Sequence, residues 1–355
     1  MPNQSVWRGT RVLVTGHTGF KGGWLSLWLK SLGADVHGLS LAPEGPRSFF
    51  EAIGLGNEIT SHIVDIRDAQ NLSEVVQDIS PQIVFHLAAQ SLVRTSYKEP
   101  LETFETNVMG TANLLEALRS VPDLRAAICV TTDKVYKNRE WHWPYREDDP
   151  LGGKDAYSAS KAAAEHIVYA YKKSFFSANP IPVLTARGGN VIGGGDWAED
   201  RLIPDLYRTI GSNTVLKIRA PDSVRPWQHV LVLCHGYLCL AQQAMHSRIA
   251  DSGAWNFGPE QRECVTVRTL LNMFAEVGAD FDVTLDEGTN PAESKLLMLE
   301  SSRARAALNW RPALDLTGAV KLTHQWYQAA LDGDDLLDLT MRQIREYEHV
   351  ARLDD

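Results

Sequence analysis

Cysteine is scarce in this chain, with four in 355 residues. Cys129, Cys234, Cys239 and Cys264 form no C-x-x-C pair, and no His/Cys cluster has the spacing of a zinc site. That argues against a disulfide framework and a structural metal, so no metal is expected and a reducing compartment is implied. Cys129, inside the apolar run Ala126 to Thr131, reads as a small buried hydrophobe. No apolar run approaches the length of a membrane span. The polar stretch from Met1 to Arg11 lacks the apolar core of a signal peptide. The expected location is cytoplasmic, with no membrane partner. Positive charge is also short. Lys and Arg number 35 against 44 Asp and Glu, for a formal net charge of -9. A broad nucleic-acid surface needs the opposite sign, so nucleic acid is not an expected partner. A small anionic ligand is still compatible, held by a few placed arginines and helix N-termini.

The remaining composition is that of an ordinary globular chain, 44% hydrophobic and 22% charged. Strand signals fall at Arg11–Thr15, Val36–Leu41, Ile63–Ile66, Ile83–Leu87, Ala127–Thr132 and Val183–Arg187. Between them lie helical patterns at Trp24–Leu32, Phe104–Leu118 and Tyr157–Tyr171. Such alternation predicts an α/β fold, a doubly wound parallel sheet with helices on both faces. After Gly188 the texture changes, with Gly193-Gly194-Gly195 and then Pro204, Pro221 and Pro226. Helices are expected at Val267–Val277, Ser301–Leu308, Leu316–Leu331 and Leu337–Val350. The reading is a first domain over 1–189 and a smaller, mixed α/β substrate-binding region over 190–355, with the chain free to cross between them.

Gly16-His17-Thr18-Gly19-Phe20-Lys21-Gly22 follows the first strand and opens the first helix. The first glycine allows a tight turn, the second lets backbone approach a pyrophosphate, and the third permits close helix–strand packing. A helix N-terminus presents free N–H groups to phosphate, and Lys21 adds charge. The context is that of a Rossmann-type dinucleotide site. Asp65-Ile66, at the end of the third strand, is placed to meet adenine, although a solvated loop Asp explains it equally well. The second strand ends Leu39-Ser40-Leu41, without the carboxylate that selects NAD over NADP, and Arg47 is near in sequence.

Tyr157 and Lys161 are four residues apart, on one face of a helix. A neighbouring ammonium favours phenolate, so Lys161 is expected to lower the Tyr157 pKa and make it a general base. Thr132, Asp133 and Lys134 end the fifth strand, where side chains face the ligand crevice of a parallel sheet. Thr132 offers a hydrogen bond to a reacting oxygen. Asp133 and Lys134 offer an acid and a base, although a polar strand end would look the same. Arg201, Arg219 and Arg225 in the second half suit a pyrophosphate. Asn190 can both donate and accept there. Ser91, Val93 and Arg94, after the fourth strand, are candidates to line a hexose pocket. Trp197 and Trp227 could stack on a base, though core packing is the commoner use.

Taken together, the glycine loop, His86-Leu87-Ala88-Ala89, Thr132, and Tyr157 with Lys161 resemble the extended short-chain dehydrogenase/reductase family. The Thr-Asp-(Glu/Lys) triplet resembles its nucleotide-sugar 4,6-dehydratase branch. Most of that branch carries Asp-Glu where this chain has Asp133-Lys134. The Asp-Lys form resembles the group acting on CDP-glucose, as do the glycine loop and the runs Arg187 to Trp197 and Arg225 to Val230. The similarity extends to about Trp310-Arg311-Pro312. Gly189 departs from it, since alanine or proline is expected there.

The resemblance implies an NAD-dependent enzyme. NAD would lie against Gly16 to Gly22, Asp65, Ile66, Leu87, Ala88, Ala89, Tyr157 and Lys161. Asn190, Arg201 and Arg225 would contact the diphosphate of a nucleotide sugar, with Asn256 nearby. Tyr157 would take the C4 hydroxyl proton and Asp133 would protonate the C6 hydroxyl. Lys134 would exchange the C5 proton in place of glutamate. A homodimer or homotetramer is also implied, with Phe104–Leu118 and Tyr157–Tyr171 as helices able to pair across a two-fold axis. Three alternatives stay open: a dehydratase of another nucleotide hexose, a nucleotide-sugar 4-epimerase, which has no need of Asp133 and Lys134, and a non-catalytic dinucleotide sensor, which has no need of Tyr157 and Lys161.

Overall fold

The computed structural model describes residues 2–177, 181–246, 253–286 and 295–353. Its centre is a seven-stranded sheet. The strands are β1 (Arg11–Thr15), β2 (Asp35–Ser40), β3 (Thr60–Ile63), β4 (Ile83–His86), β5 (Ala126–Thr132), β6 (Val183–Gly188) and β7 (Ala254–Phe257). Their order is β7-β6-β5-β4-β1-β2-β3, and every pairing is parallel. Strand order reverses between β1 and β4, so a ligand crevice opens at their carboxyl ends.

Alternate residues of β1 belong to different cores. Val12 and Val14 join Trp24, Leu25 and Trp28 of helix α1 (Phe20–Ser31) and the apolar side of helix α2 (Val230–His246). Leu13 joins Leu114 and Leu115 of Gly110–Leu118 and Leu72 and Val76 of Ala69–Ile79 on the other face. Burial on both faces explains why these strands read as continuous apolar runs.

The helices Ala69–Ile79 and Leu202–Ser212 and the strand β7 were not among the expected elements, and three further features differ. The third strand is Thr60–Ile63 rather than 63–66, because its ladder on β2 runs from His37↔Thr60 to Ser40↔Ile63 and stops where β2 stops. Its polar, half-exposed residues suit a sheet edge. Asp65-Ile66 therefore lies in the loop beyond it. The helix expected over Phe104–Leu118 is broken into Pro100–Phe104, a π-helical turn Glu105–Met109, and Gly110–Leu118. Finally, α2 was not expected at all. It is buried nearly all round, so it carries no amphipathic stripe to read. This helix and β7 both come from the second half of the chain and complete the sheet layer of the first. The final helices, Leu316–Asp332 and Leu336–Leu353, pack beside α1, where Trp28 Nε1 donates to Glu348 Oε1 at 2.8 Å.

Candidate active site

The glycine loop leaves β1 at Gly16, whose φ is +77°. A Cβ there would lie 2.7 Å from the Ala88 backbone nitrogen. On Gly22 it would lie 2.1 Å from the Gly16 carbonyl oxygen. Both glycines are thus required by backbone approach. Helix α1 starts after Gly19, and no side chain caps its first N–H groups. Uncapped donors at the strand-order reversal fit a dinucleotide pyrophosphate. The wall opposite is set by β4. Thr15 Oγ1 bonds His86 Nδ1 at 2.8 Å and accepts from the Leu87 and Ala88 N–H groups at 3.1 Å each. His86 Nε2 meets Thr111 Oγ1 at 3.0 Å, and burial followed by Lys161 draws this imidazole down to about 3.

Other members of the loop are committed differently. The His17 ring packs over Gly38, where a Cβ would sit 2.2 Å from it, and its Nε2 bonds Ser61 Oγ at 2.7 Å. Burial draws His17 down to about 4. Its imidazole braces β2 and β3, which leaves its backbone for a ligand. Thr18 Oγ1 bonds Ser40 Oγ at 2.8 Å and donates to the Leu41 carbonyl at 3.0 Å, so hydroxyls stand at the end of β2. Phe20 packs on the core beside Gly193. Asp65 is engaged by the Arg67 side chain at 2.6 and 2.9 Å and by the Arg67 N–H at 2.9 Å, which hold its carboxyl below the usual range. Ile66 is buried, and Ala89 is half-buried in the loop after β4.

Thr132, Asp133, Tyr157 and Lys161 are all buried. Asp133 Oδ1 accepts from Thr132 Oγ1 at 2.9 Å, while Oδ2 has no partner. Burial raises the Asp133 pKa against the pull of Lys134, Thr132 and Arg225. The result is a carboxylic acid biased toward its protonated form at the crevice. Lys134 Nζ is 5.9 Å from the centroid of the Tyr157 ring, so the triplet and the helix Ala156–Ser174 face each other.

The expected lowering of Tyr157 by Lys161 does not occur. Lys161 Nζ donates to the Val130 carbonyl at 2.9 Å instead. Burial pushes the phenol up to about 12, opposed by Thr132 and Arg201 and assisted by Asp133 and Asp155. Lys161 itself is drawn down to about 8 by burial, with Cys129 and Glu165 pulling the other way. Lys21 is also drawn to about 8, by burial and then by Arg201 and Lys161. These three cations converge on one crevice.

Behind the helix lies a buried network absent from the sequence reading. Arg187 Nε and Nη2 grip Glu165 at 2.9 Å each, and Thr131 and Thr185 donate to the same carboxylate at 2.5 and 2.7 Å. Arg187 Nη1 also donates to Tyr136 Oη at 2.8 Å and to the Glu147 carbonyl at 2.9 Å. Tyr136 Oη donates to Asn256 Oδ1 at 2.7 Å. The Asn256 amide donates to the Tyr145 and Glu300 carbonyls at 2.9 and 3.1 Å. Asn256 is therefore a framework residue with its amide fully used, which corrects its expected place against the nucleotide. Its type gave no warning, because Asn serves either purpose. A second clamp was missed as well. Asn107, in the π turn, bonds the Gln90 N–H and carbonyl at 2.9 and 3.0 Å and Ser160 Oγ at 2.9 Å. The one available signal was Glu165, one helical turn beyond Lys161.

The second half of the chain reaches the same crevice. Arg201 Nη1 donates to Asp196 Oδ2 at 2.8 Å and Nη2 to Ser91 Oγ at 3.0 Å, and its charge acts on Tyr157 and Lys21. Arg94 Nη1 donates to Asp200 Oδ1 at 2.9 Å, and Arg219 Nη2 donates to the Asp200 carbonyl at 3.1 Å. Arg225 acts on Asp133, and Asn190 accepts from the Gln228 N–H at 3.0 Å. Val93 starts the short helix Val93–Lys98, half-buried beside Arg94. Trp227 is buried in the core, and Trp197 packs edge-on against Tyr327. Gly189 also has a reason to be glycine. A Cβ there would lie 2.7 Å from Pro226 Cγ and 3.4 Å from Asp133 Oδ2. Among the described residues, no group of three or more His, Cys, Asp or Glu could hold a metal ion, and none of the four cysteines is in a disulfide.

A model of the GDP-mannose 4,6 dehydratase family matches residues 13–323. The CDP-glucose 4,6-dehydratase of Salmonella typhimurium is 45% identical over 98% of each chain. A dTDP-glucose 4,6-dehydratase of Xanthomonas campestris is 28% identical, over 92% of this chain and 97% of that protein. Among solved structures, UDP-glucose 4-epimerase from Thermus thermophilus in complex with NAD superposes with a TM-score of 0.78 at 25% identity, covering 90% of this chain and 100% of the other.

Proposed function

Because the chain belongs to the GDP-mannose 4,6 dehydratase family, we infer that it removes water from CDP-D-glucose to give CDP-4-keto-6-deoxy-D-glucose, with NAD as its cofactor. The observation that carries this reading is Asp133. It is a buried carboxyl with a raised pKa and one unpartnered oxygen, set beside Lys134 and across from Tyr157. An epimerase needs no acid there. When bound, NAD would supply reversible hydride acceptance, taking hydride from C4 and giving it back at C6, and so would end each cycle unchanged.

The chain's own groups handle the protons. Tyr157 takes the proton of the C4 hydroxyl; burial raises its pKa, and Thr132 and Arg201 pull the other way, toward the ionised form this step needs. A ketone at C4 acidifies C5, and Lys134, reacting as the neutral amine, takes that proton. Asp133 gives its proton to the C6 hydroxyl, which leaves as water. Lys134 then returns its proton to C5, and the proton held by Tyr157 restores Asp133 through solvent. The cradle at Gly16 to Gly22 and the wall at Leu87 to Ala89 would hold the dinucleotide. Arg201, Arg219, Arg225 and Asn190 would hold the substrate diphosphate, with Ser91, Val93 and Arg94 at the hexose.

Two further points belong to this reading. Leu101, Met109 and Tyr169 are 82%, 54% and 61% exposed on the helices flanking the site, which supports a homodimer or homotetramer built across them. Four cysteines outside any disulfide support a cytoplasmic location. Among the described residues, no helix is long and apolar enough to cross a membrane.

The test is incubation with NAD and CDP-, dTDP-, UDP- or GDP-hexoses, read by mass spectrometry. Loss of one water from CDP-glucose supports the reading. Loss from a different nucleotide sugar overturns the cytidine assignment. An unchanged mass with an inverted C4 centre by NMR makes the chain an epimerase.

A further inference from the structure

The segment from Gly193 to Arg201 carries two carboxylates held by arginines, and they differ in one respect. Asp196 is 7% exposed and fixed between Arg201 and its own loop, where its Oδ1 accepts from the Ala198 N–H at 3.2 Å. Asp200 is 39% exposed. Its carboxylate meets Arg94 at 2.9 Å from one half of the chain and Arg219 at 3.8 Å from the other. Both arginines are partly buried, at 34% and 23% exposure. The Asp200 backbone has φ +62°, the left-handed region that a side chain other than Gly, Asn or Asp rarely accepts. An exposed ion pair of this kind is weak and open to exchange with a better anion. A diphosphate carries more charge and more acceptor oxygens than one carboxylate, and arginine forks match it in two directions.

We propose that Asp200 is an internal stand-in for substrate oxygens, its carboxylate pairing Arg94 on the hexose side with Arg219 on the diphosphate side and being displaced when a nucleotide sugar binds. This rests on the nucleotide-sugar reading of the site and adds an affinity-setting residue to it. The carboxylate competes with the substrate for the same guanidinium groups. It weakens retention of the nucleotide product and keeps the arginines from collecting small anions.

The experiment measures the Kd of CDP by calorimetry, with NAD present, and the KM for CDP-glucose. Asp200→Gly and Asp200→Asn are compared with Glu199→Gln, which removes the same charge from the exposed neighbouring residue. Both Asp200 variants suit a left-handed backbone, so folded protein is expected. The expected result is a Kd for CDP lowered about two- to tenfold in both, with KM moving the same way, and a smaller change in Glu199→Gln. A raised Kd overturns the proposal, because Asp200 would then be holding the arginines ready for substrate. An unchanged Kd overturns it as well. Water loss from CDP-glucose by the unaltered chain tests the parent reading separately. Turnover with unmoved CDP affinity sinks the stand-in alone, whereas absent turnover and absent CDP binding in every chain sink both.

Discussion

Replacing Arg187 by methionine isolates the buried network behind the catalytic helix. Arg187 and Glu165 side chains are 4% and 5% exposed and joined by two bonds of 2.9 Å. Methionine fills much of the same space but leaves the Glu165 carboxylate with only Thr131 and Thr185 as donors. Removing one partner of a buried pair costs about 3–5 kcal/mol, mainly through the stranded charge. With unfolding entropy of about 2.1 cal/mol/K per residue, a chain of this length should lose roughly 4–7 °C in Tm. The pH dependence gives a sharper criterion. Burial works to raise the Glu165 carboxyl, but Arg187, Thr131 and Thr185 outweigh it and hold it below its ordinary value. Its contribution to wild-type stability is present above the unfolded pKa and lost as pH falls through the folded one. In the variant the carboxyl shifts upward and takes a proton in mild acid, which relieves the stranded charge. Urea unfolding should therefore show the largest deficit near neutral pH and a shrinking one toward about pH 5. A deficit under about 1 kcal/mol at neutral pH, or one that grows with acid, would refute the reasoning.

Further outcomes are expected elsewhere. Gly22→Ala places a methyl 2.1 Å from the Gly16 carbonyl and should cost at least about tenfold in NAD affinity by calorimetry, with the loss concentrated in the cofactor. Lys134→Ala should accumulate reduced nicotinamide absorbance from CDP-glucose without releasing water; normal turnover would remove Lys134 from C5 chemistry. Lys161 is drawn from 10.5 to about 8 on burial, so the unfolded chain binds more protons between those values. Wild type should gain stability relative to Lys161→Met as pH rises through that window, measured as urea midpoints.

The inner strands β1, β4, β5 and β6 were legible in sequence because they are buried on both faces, whereas the edge strand β3 was read three residues late and β7 was not expected. Gly16 and Gly22 could be placed because a backbone clearance demands glycine there, and the strand-to-helix turn set their spacing. Thr132, Asp133, Tyr157 and Lys161 were legible because a strand end and a helical repeat of four put them on known faces. What escaped had no local signature. Helix α2 is apolar in every direction. The grip of Arg187 on Glu165 joins positions 22 residues apart through the core. The Tyr157 pKa was misjudged because helical spacing places Lys161 on the right face but says nothing of the Val130 carbonyl, which takes its proton donor. Asn256 was assigned to the ligand by likeness, and its partners Tyr136, Tyr145 and Glu300 come from three separate segments.

The seventh strand has a consequence for how the polypeptide is made. Until Phe257 has left the ribosome, β6 has no neighbour on its outer side and presents a row of open N–H and C=O groups. The helix Val230–His246, which covers the sheet between α1 and β5, is equally late. A nascent chain stalled near residue 190 would thus hold Thr132, Asp133, Lys134, Tyr157 and Lys161, the proposed catalytic side chains, on an unfinished layer, with one edge open to pairing with any other strand. Fragments cut at that point should aggregate, and the full chain should resist stepwise dismantling by protease, cleaving in one cooperative event.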